Sequence, residues 1–245
     1  MDSVQRAEAL TDFAVAGPED AERFHAAVEH ARERVAGLGA RDPDRAFALF
    51  ALGTGLRALF SANEEPAILE EAVTTLRRAV RACEREDPDL PQYLTEFVVA
   101  LCHRVEGGKA DVIDEALTHA RRAVELTSAT HPQYPSRLTL LAGVLRFRAT
   151  TGSTAPDRQA LDEALMLHRQ ALEGAVDADP VYARYLRAYA QTLLVQARAE
   201  GDHTIAHEAE HTCYTAMRRA HPYDPLPGLL LATAQEAQAV RGALM

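Results

Sequence analysis

The chain is predicted to be all-α, a stack of helix pairs, and three observations carry that prediction. The first is composition: of 245 residues 47 are Ala, Trp is absent, and only 13 Gly and 12 Pro interrupt the chain. That balance favours helix over the turn-rich, β-branched makeup of a sandwich or barrel. The second is a dipeptide of an acid or His followed by Pro. It recurs five times, as Asp42-Pro43, Asp87-Pro88, His131-Pro132, Asp179-Pro180 and His221-Pro222, with prolines 45, 44, 48 and 42 residues apart. The third is a Glu-Ala pair after each of the first four: Glu71-Ala72, Glu115-Ala116, Glu163-Ala164 and Glu208-Ala209. Seven residues beyond each of these alanines stands another, Ala79, Ala123, Ala171 and Ala216. Seven residues is about two helical turns, so each pair shares a face and marks close helix–helix approach.

The segment after each Pro predicts the first helix of a unit. Leu49, Leu94, Leu138 and Leu186 lie six residues on, and Leu52, Phe97, Leu141 and Tyr189 nine on. Leu56, Leu101, Leu145 and Leu193 lie thirteen on. This is the i, i+3, i+7 stripe of an amphipathic helix, with a mostly small residue (Gly53, Val98, Ala142, Ala190) inside it. First helices are expected over 44–61, 89–105, 134–149 and 181–199, and second helices over 66–85, 111–127, 157–174 and 204–219. Turn-forming segments separate them: Asn63-Glu-Glu-Pro66, Glu106-Gly-Gly-Lys109, Thr151 to Pro156, and Glu200-Gly-Asp-His203. Pro66, Asp111 and Thr204 are the expected helix-start residues. Acids early in the second helices and arginines late (Arg77, Arg78, Arg121, Arg122, Arg218, Arg219) suit the helix dipole, and those Arg pairs are read as a solvated face. Residues 19–37 resemble a second helix with Arg34 at the second packing-Ala position, and 2–15 a degenerate first helix. After Pro222 one more helix, 226–244, carries Leu226, Leu229, Leu230, Leu231, Val240 and Leu244, enough to cover the last unit and leave apolar surface over. The resulting organisation is a single solenoid over 1–245. It has a partial repeat at 1–42, repeats at 43–87, 88–131, 132–179 and 180–221, and a final helix at 222–245.

Charge and cysteine usage exclude several classes of function. The net charge is −10, from 36 acids against 26 bases. That argues against nucleic-acid binding, whose affinity comes mostly from phosphate neutralisation. All the bases but Lys109 are Arg. The three cysteines, Cys83, Cys102 and Cys213, form no disulfide framework and no CxxC metal signature; free, buried thiols in a reducing cytoplasm are expected. The N-terminus has an acid at Asp2 and no long apolar core, so no secretory signal is read there. The apolar stretches around 97–102 and 229–232 are too short to cross a bilayer, and no membrane association is expected.

The order Leu52-Gly53, Leu56, Ala72, Ala79, Pro88 resembles the tetratricopeptide repeat (TPR), with its Leu-Gly, aromatic-or-Leu, Ala, Ala and Pro positions. The unit here is about 45 residues against the family's usual 34. It is similar to the elongated variety of large bacterial proteins, where the array is often joined to a caspase-like protease (CHAT) domain or a signalling ATPase. Leu145-Arg146, Thr151-Gly152 and Leu161-Asp-Glu-Ala164 carry the resemblance most closely, and it covers roughly 18–243. It implies a right-handed α-α superhelix of about four and a half to five helix-turn-helix repeats, binding other proteins in a concave groove and needing no cofactor. Carried over by register, the groove is lined by Phe47, Phe50, Thr54 and Arg57 in the first repeat and by Gln92, Thr95, Val99 and His103 in the second. The third supplies Ser136, Thr139, Gly143, Arg146 and Phe147, and the fourth Arg184, Arg187, Gln191 and Leu194. This lining holds four arginines and no carboxylate, which together with exposed aromatics suits a protein or peptide bearing acidic groups or a free C-terminus. A homodimer through the Leu-rich final helix is the alternative.

One enzyme motif remains. His207-Glu208-Ala209-Glu210-His211 satisfies H-E-x-x-H, in which two His one turn apart hold zinc and the Glu activates water. Glu208 and Ala209 are already explained by repeat register, and His207 and His211 fall on the side opposite the packed Ala209. A solvent-facing His pair is therefore expected, with a zinc-dependent hydrolase only as a remote alternative. No Ser/His/Asp, Cys/His or paired-carboxylate arrangement stands out.

Overall fold

The structure is a computed structural model, and it describes residues 21–152, 156–176, 181–220 and 226–245. Among them are ten α-helices and no strand: α1 (Ala21–Gly37), α2 (Arg45–Asn63), α3 (Pro66–Ala82), α4 (Leu90–Glu106), α5 (Ile113–Glu125), α6 (Tyr134–Thr150), α7 (Arg158–Gly174), α8 (Tyr182–Glu200), α9 (His203–Met217) and α10 (Leu226–Leu244). Every expected helix from 19 onward is present with its ends shifted by at most three residues; the expected helix at 2–15 lies outside the described residues. The chain divides into two compact units, Met1–Val112 and Ile113–Met245. The division falls between the two helices of the second repeat.

In the first unit α2 packs on α1 and α3, and α3 on α4. In the second unit each helix from α5 to α10 packs on the next, and the first helices also touch one another, α6 against α8 and α8 against α10. α10 thus takes the place of a fifth first helix. The cores follow the expected stripes. Phe24, Val28, Leu52, Leu56 and Ala72 cluster in the first unit. Leu165, Leu186, Leu193, Ala209 and Leu230 cluster in the second. All eight paired alanines of the second helices are at most 1% exposed. Gly53 shows why one first helix carries glycine: a Cβ there would lie 2.5 Å from Leu76 Cγ and 3.2 Å from the Leu76 backbone nitrogen.

The dipeptide before each first helix has a structural cause. Proline has no N–H, so the first donor beyond the acid or His is two residues on. Asp42 Oδ1 accepts from the Asp44 N–H at 2.9 Å, Asp87 Oδ1 from Asp89 at 2.8 Å, and His131 Nδ1 from Gln133 at 3.1 Å. The carbonyls of the same three residues accept from Arg45, Leu90 and Tyr134 at 3.1, 3.0 and 2.9 Å. Side chain and carbonyl together close one turn and deliver the chain into the next helix. Asp179-Pro180 and His221-Pro222 lie outside the described residues. Among the expected start residues Pro66 holds position, with Glu65 before it. Thr204 is instead capped by Asp202, which accepts its N–H and hydroxyl, each at 2.7 Å. Asp111 lies in a 3-10 turn, Ala110–Val112, ahead of α5.

Two further expectations are corrected. The most apolar segment is α2, long and apolar enough by length and composition to cross a membrane, rather than either shorter stretch considered above. Two thirds of its most apolar window is buried inside the protein (67%), which accounts for its hydropathy. No cysteine is in a disulfide, but only Cys213 is fully buried, while Cys83 and Cys102 are half-buried. Burial pushes the Cys83 thiol up to about 12, with Asp87 adding to the shift, and Cys213 up to about 11.

Candidate partner-binding face

In the first unit the expected lining is largely closed. Phe47 and Phe50 are 4% and 1% exposed. Phe50 stacks on Tyr93 of α4 at 4.4 Å between centroids, and Arg34 of α1 lies 5.9 Å from the centroid of the Phe47 ring. Neither ring offers contact area to a partner, so the expectation of exposed aromatic anchors fails at both positions. Thr54 is buried as well. Arg57 Nε donates to Glu96 Oε2 of the next first helix at 2.9 Å. The lining is therefore not carboxylate-free here, and Arg57 is held by Glu96. Gln92, Thr95 and Val99 are half-buried, and the Thr95 hydroxyl donates to the Pro91 carbonyl at 2.7 Å. His103 lies edge-on to Phe60 at 5.6 Å with Nδ1 3.3 Å from Glu106. Large side chains at the groove register of α2 serve the fold as core rather than as lining.

The second unit differs. Ser136, Thr139, Gly143, Arg146 and Phe147 on α6 are all half-buried, and the Arg146 guanidinium lies 4.6 Å from the centroid of the Phe147 ring. On α8, which packs against α6, Arg184 is exposed and Arg187 and Gln191 are half-buried; Leu194 is buried and belongs to the core. The face formed by α6 and α8 thus presents three arginines, one phenylalanine and one glutamine. None of the expected lining positions on these two helices is Asp or Glu.

Beneath this face lies a residue that motif spacing did not single out. His168 of α7 is 1% exposed, with Nε2 3.1 Å from Thr192 Oγ1 of α8. The Thr192 hydroxyl donates to the Ala188 carbonyl at 3.2 Å, so Nε2 carries the proton shared with Thr192 and Nδ1 is a buried acceptor without a partner. Burial, aided by the nearby Arg146 charge, pushes the imidazole down to about 3. It is a neutral core histidine.

The outer face of the second helices carries the Glu of each Glu-Ala pair. Glu71 of α3 receives two bonds from Arg32 of α1, at 3.1 and 2.6 Å. Glu163 of α7 receives Arg121 of α5 at 3.2 Å to both oxygens. Glu208 of α9 accepts from the Tyr189 hydroxyl at 2.9 Å, and that hydroxyl in turn accepts from Arg169 Nε of α7 at 3.4 Å. Arg32, Arg121 and Arg169 all stand two residues before the second packing position of their helix; the first two reach the Glu of the next second helix directly, and Arg169 reaches Glu208 through the Tyr189 hydroxyl. The arginines read as a solvated face are in part an inter-repeat ladder.

The H-E-x-x-H segment belongs to that ladder. His207 and His211 are exposed, as their register requires, while Glu208 is bonded to Tyr189. Glu210 accepts from Gln238 at 2.7 Å and lies 2.7 Å from Arg241, tying α9 to α10. Among the described residues no three His, Cys, Asp or Glu side chains gather as a metal ion needs. An open cavity of about 570 Å³ lies along α5, lined by Leu117, Arg121, Arg122 and Arg148 among others. Its arginines are engaged by Glu163, Glu125 and Asp114 at 3.2, 3.4 and 3.5 Å.

No family model and no curated protein matches the chain. Among solved structures it is similar to the crystal structure of BtubC (BKLC) from P. vanneervenii. The two share 15% identity with a TM-score of 0.51, over 91% of this chain and 89% of that one. What is shared is the fold. The likeness is to an all-helical, repeat-like architecture extending over nearly the whole of both chains.

Proposed function

We propose that this chain is a non-enzymatic scaffold of TPR type, a right-handed superhelix that binds an acidic partner protein or peptide on the concave side of its first helices. The observation that carries this reading is the face of α6 and α8. It bears Arg146, Arg184 and Arg187 beside Phe147 and Gln191, on a chain whose net charge is −10. Arg supplies five donors in a forked plane suited to carboxylates, so existing contacts leave bonding capacity for a ligand. Three cysteines without a disulfide fit a reducing cytoplasm. The test is capture of a partner from host lysate by wild type and by the Arg146→Glu/Arg184→Glu/Arg187→Glu variant, with Arg121→Glu as a charge control on the outer face. A partner held by wild type and the control but lost by the triple variant supports the reading. Equal retention by all three refutes it.

A second reading, self-association through α10, is favoured by Leu229 and Leu231, which are 46% and 47% exposed on that helix. Under it the mass in sedimentation equilibrium rises with concentration, and Leu229→Lys/Leu231→Lys abolishes the rise.

A further inference from the structure

α10 takes the place of a fifth first helix, and the other first helices show which of its faces is left over. In the first, third and fourth repeats the first helix packs on the second helix of its own repeat, α2 on α3, α6 on α7 and α8 on α9. The positions six, nine, ten and thirteen residues after the Pro are buried in all three. On α8 they are Leu186, Tyr189, Ala190 and Leu193. The register carries over to α10, because the position twelve residues on, Thr192 in α8 and Ala234 in α10, is 0% exposed in both. Yet the four positions themselves, Gly228, Leu231, Ala232 and Gln235, are all exposed on α10. Among the described residues no second helix covers them.

Charge and spacing set this uncovered face apart. α10 has two charged residues, Glu236 and Arg241, and both are paired inside the chain, with Arg198 and Glu210, each at 2.7 Å. At about 100° per residue, Gly228, Ala232, Gln235, Ala239, Gly242 and Ala243 form one exposed row opposite the buried Leu230 and Ala237. A Cβ on Gly228 or Gly242 would meet nothing within 4 Å, so a facing helix can approach closely. Leu229 and Leu231 flank the row, 46% and 47% exposed. Gly228, Ala232, Ala239 and Ala243 are 4, 7 and 4 residues apart, the same spacing read from either end.

Resting on the self-association reading above, we infer that a second copy of this chain covers the face with its own α10, antiparallel about a two-fold axis beside Gln235. That axis sets Ala232 against Ala239 of the partner subunit and Gly228 against Ala243 of the partner subunit, small residue against small residue. The partner's α10 then lies where each earlier repeat places its own second helix, so the seam continues the packing already present between α8 and α9. The second helices α3, α5, α7 and α9 cannot be the occupant, since their paired alanines are at most 1% exposed. On a chain of net charge −10, an uncharged row meets its own copy with no like charges opposed. A two-fold interface uses one self-complementary patch twice, as this spacing allows, and assembly closes at two copies.

The test is cysteine cross-linking and sedimentation equilibrium on the full chain, with wild type and its own three cysteines as the background control. A disulfide joins only Cα atoms within about 7 Å of one another. Under mild oxidation Gln235→Cys, beside the axis, is expected to give a covalent dimer on a non-reducing gel. Gly228→Cys, set ~20 Å along the seam from its symmetry mate, should give none above background. Chains carrying Ala232→Cys should cross-link to chains carrying Ala239→Cys. In the centrifuge the mass of wild type is expected to rise with concentration to twice that of the monomer and no further. Ala239→Arg, at an exposed position, should stay monomeric with its helical CD spectrum unchanged. Cross-linking of both Gln235→Cys and Gly228→Cys marks a parallel pair and overturns the inference, as do cross-linking of neither and growth beyond a dimer. A rise in mass that Leu229→Lys/Leu231→Lys abolishes but Ala239→Arg does not overturns this seam and leaves self-association through α10 standing. A monomer from micromolar to millimolar concentration defeats both.

Discussion

Acid should weaken this protein through His168, and by an amount that can be worked out. The ring is 1% exposed, its Nδ1 has no partner, and its pKa is pushed down to about 3 from an ordinary 6.5 by burial and by Arg146. Because the folded-state value is depressed, the unfolded chain binds the proton first as pH falls. The stability that the neutral ring allows is intact above about pH 6.5 and is lost progressively between 6.5 and 3. At pH 5 the loss is about 2 kcal/mol, since each unit between the unfolded pKa and the pH contributes about 1.4 kcal/mol. His168→Leu removes the titration with little change in volume. Thr192 keeps its bond to the Ala188 carbonyl, so no donor is stranded. The assay is urea unfolding of both proteins at pH 7.5 and pH 5, followed by CD. Wild type should lose about 2 kcal/mol more than the variant over that interval, the difference cancelling every other group that titrates in both proteins. Equal losses, or an imidazole NMR titration centred near 6.5, would refute the reasoning.

The same substitution at two glycines should act with opposite signs. Gly53→Ala forces Leu76 aside and costs about 1–3 kcal/mol, while Gly143→Ala adds about 0.5–1 kcal/mol of stability because its Cβ meets nothing; both are read in urea melts at pH 7.5. Two ion pairs should differ for a reason of burial. Arg57→Ala strands Glu96, whose side chain is 16% exposed, and costs about 1–2 kcal/mol, whereas Arg121→Ala at the exposed Glu163 pair changes stability by less than about 0.5 kcal/mol in the same assay.

Helix positions were legible because they rest on local chemistry repeated four times over. Pro43, Pro88 and Pro132 sit in turns whose hydrogen bonds are made within three residues, and the Ala72-Ala79 type of pair needs only one helix to declare its face. The Glu beside each first Ala was equally visible as a recurrence, but its purpose was not, because its partner, Arg32 or Arg121, lies 39 or 42 residues away on another helix. His168 was illegible for a related reason: a lone polar residue at a core register gives no periodic signal, and its bond to Thr192 crosses between repeats.

The candidate face was legible only in half. Register alone treats Phe47 and Arg146 as members of one class, lining residues on first helices. Their environments are set by residues that register does not weigh. Arg34 lies against the Phe47 ring, Tyr93 covers Phe50, and Glu96 holds Arg57, so the first unit spends those positions on its own cohesion. In the second repeat Glu96 stands eight residues after Pro88; the equivalent position in the fourth repeat, eight after Pro180, is Ala188. By register Arg146 on α6 takes the place of Arg57 on α2, and Ala188 on α8 that of Glu96 on α4, so no carboxylate stands at that position of the fourth repeat. Placing an acid there, Ala188→Glu, puts a carboxylate in the register of Glu96 and should weaken capture of an acidic partner from host lysate while leaving the helical CD spectrum intact. Unchanged capture would mean that this register of the α6–α8 face takes no part in binding the partner.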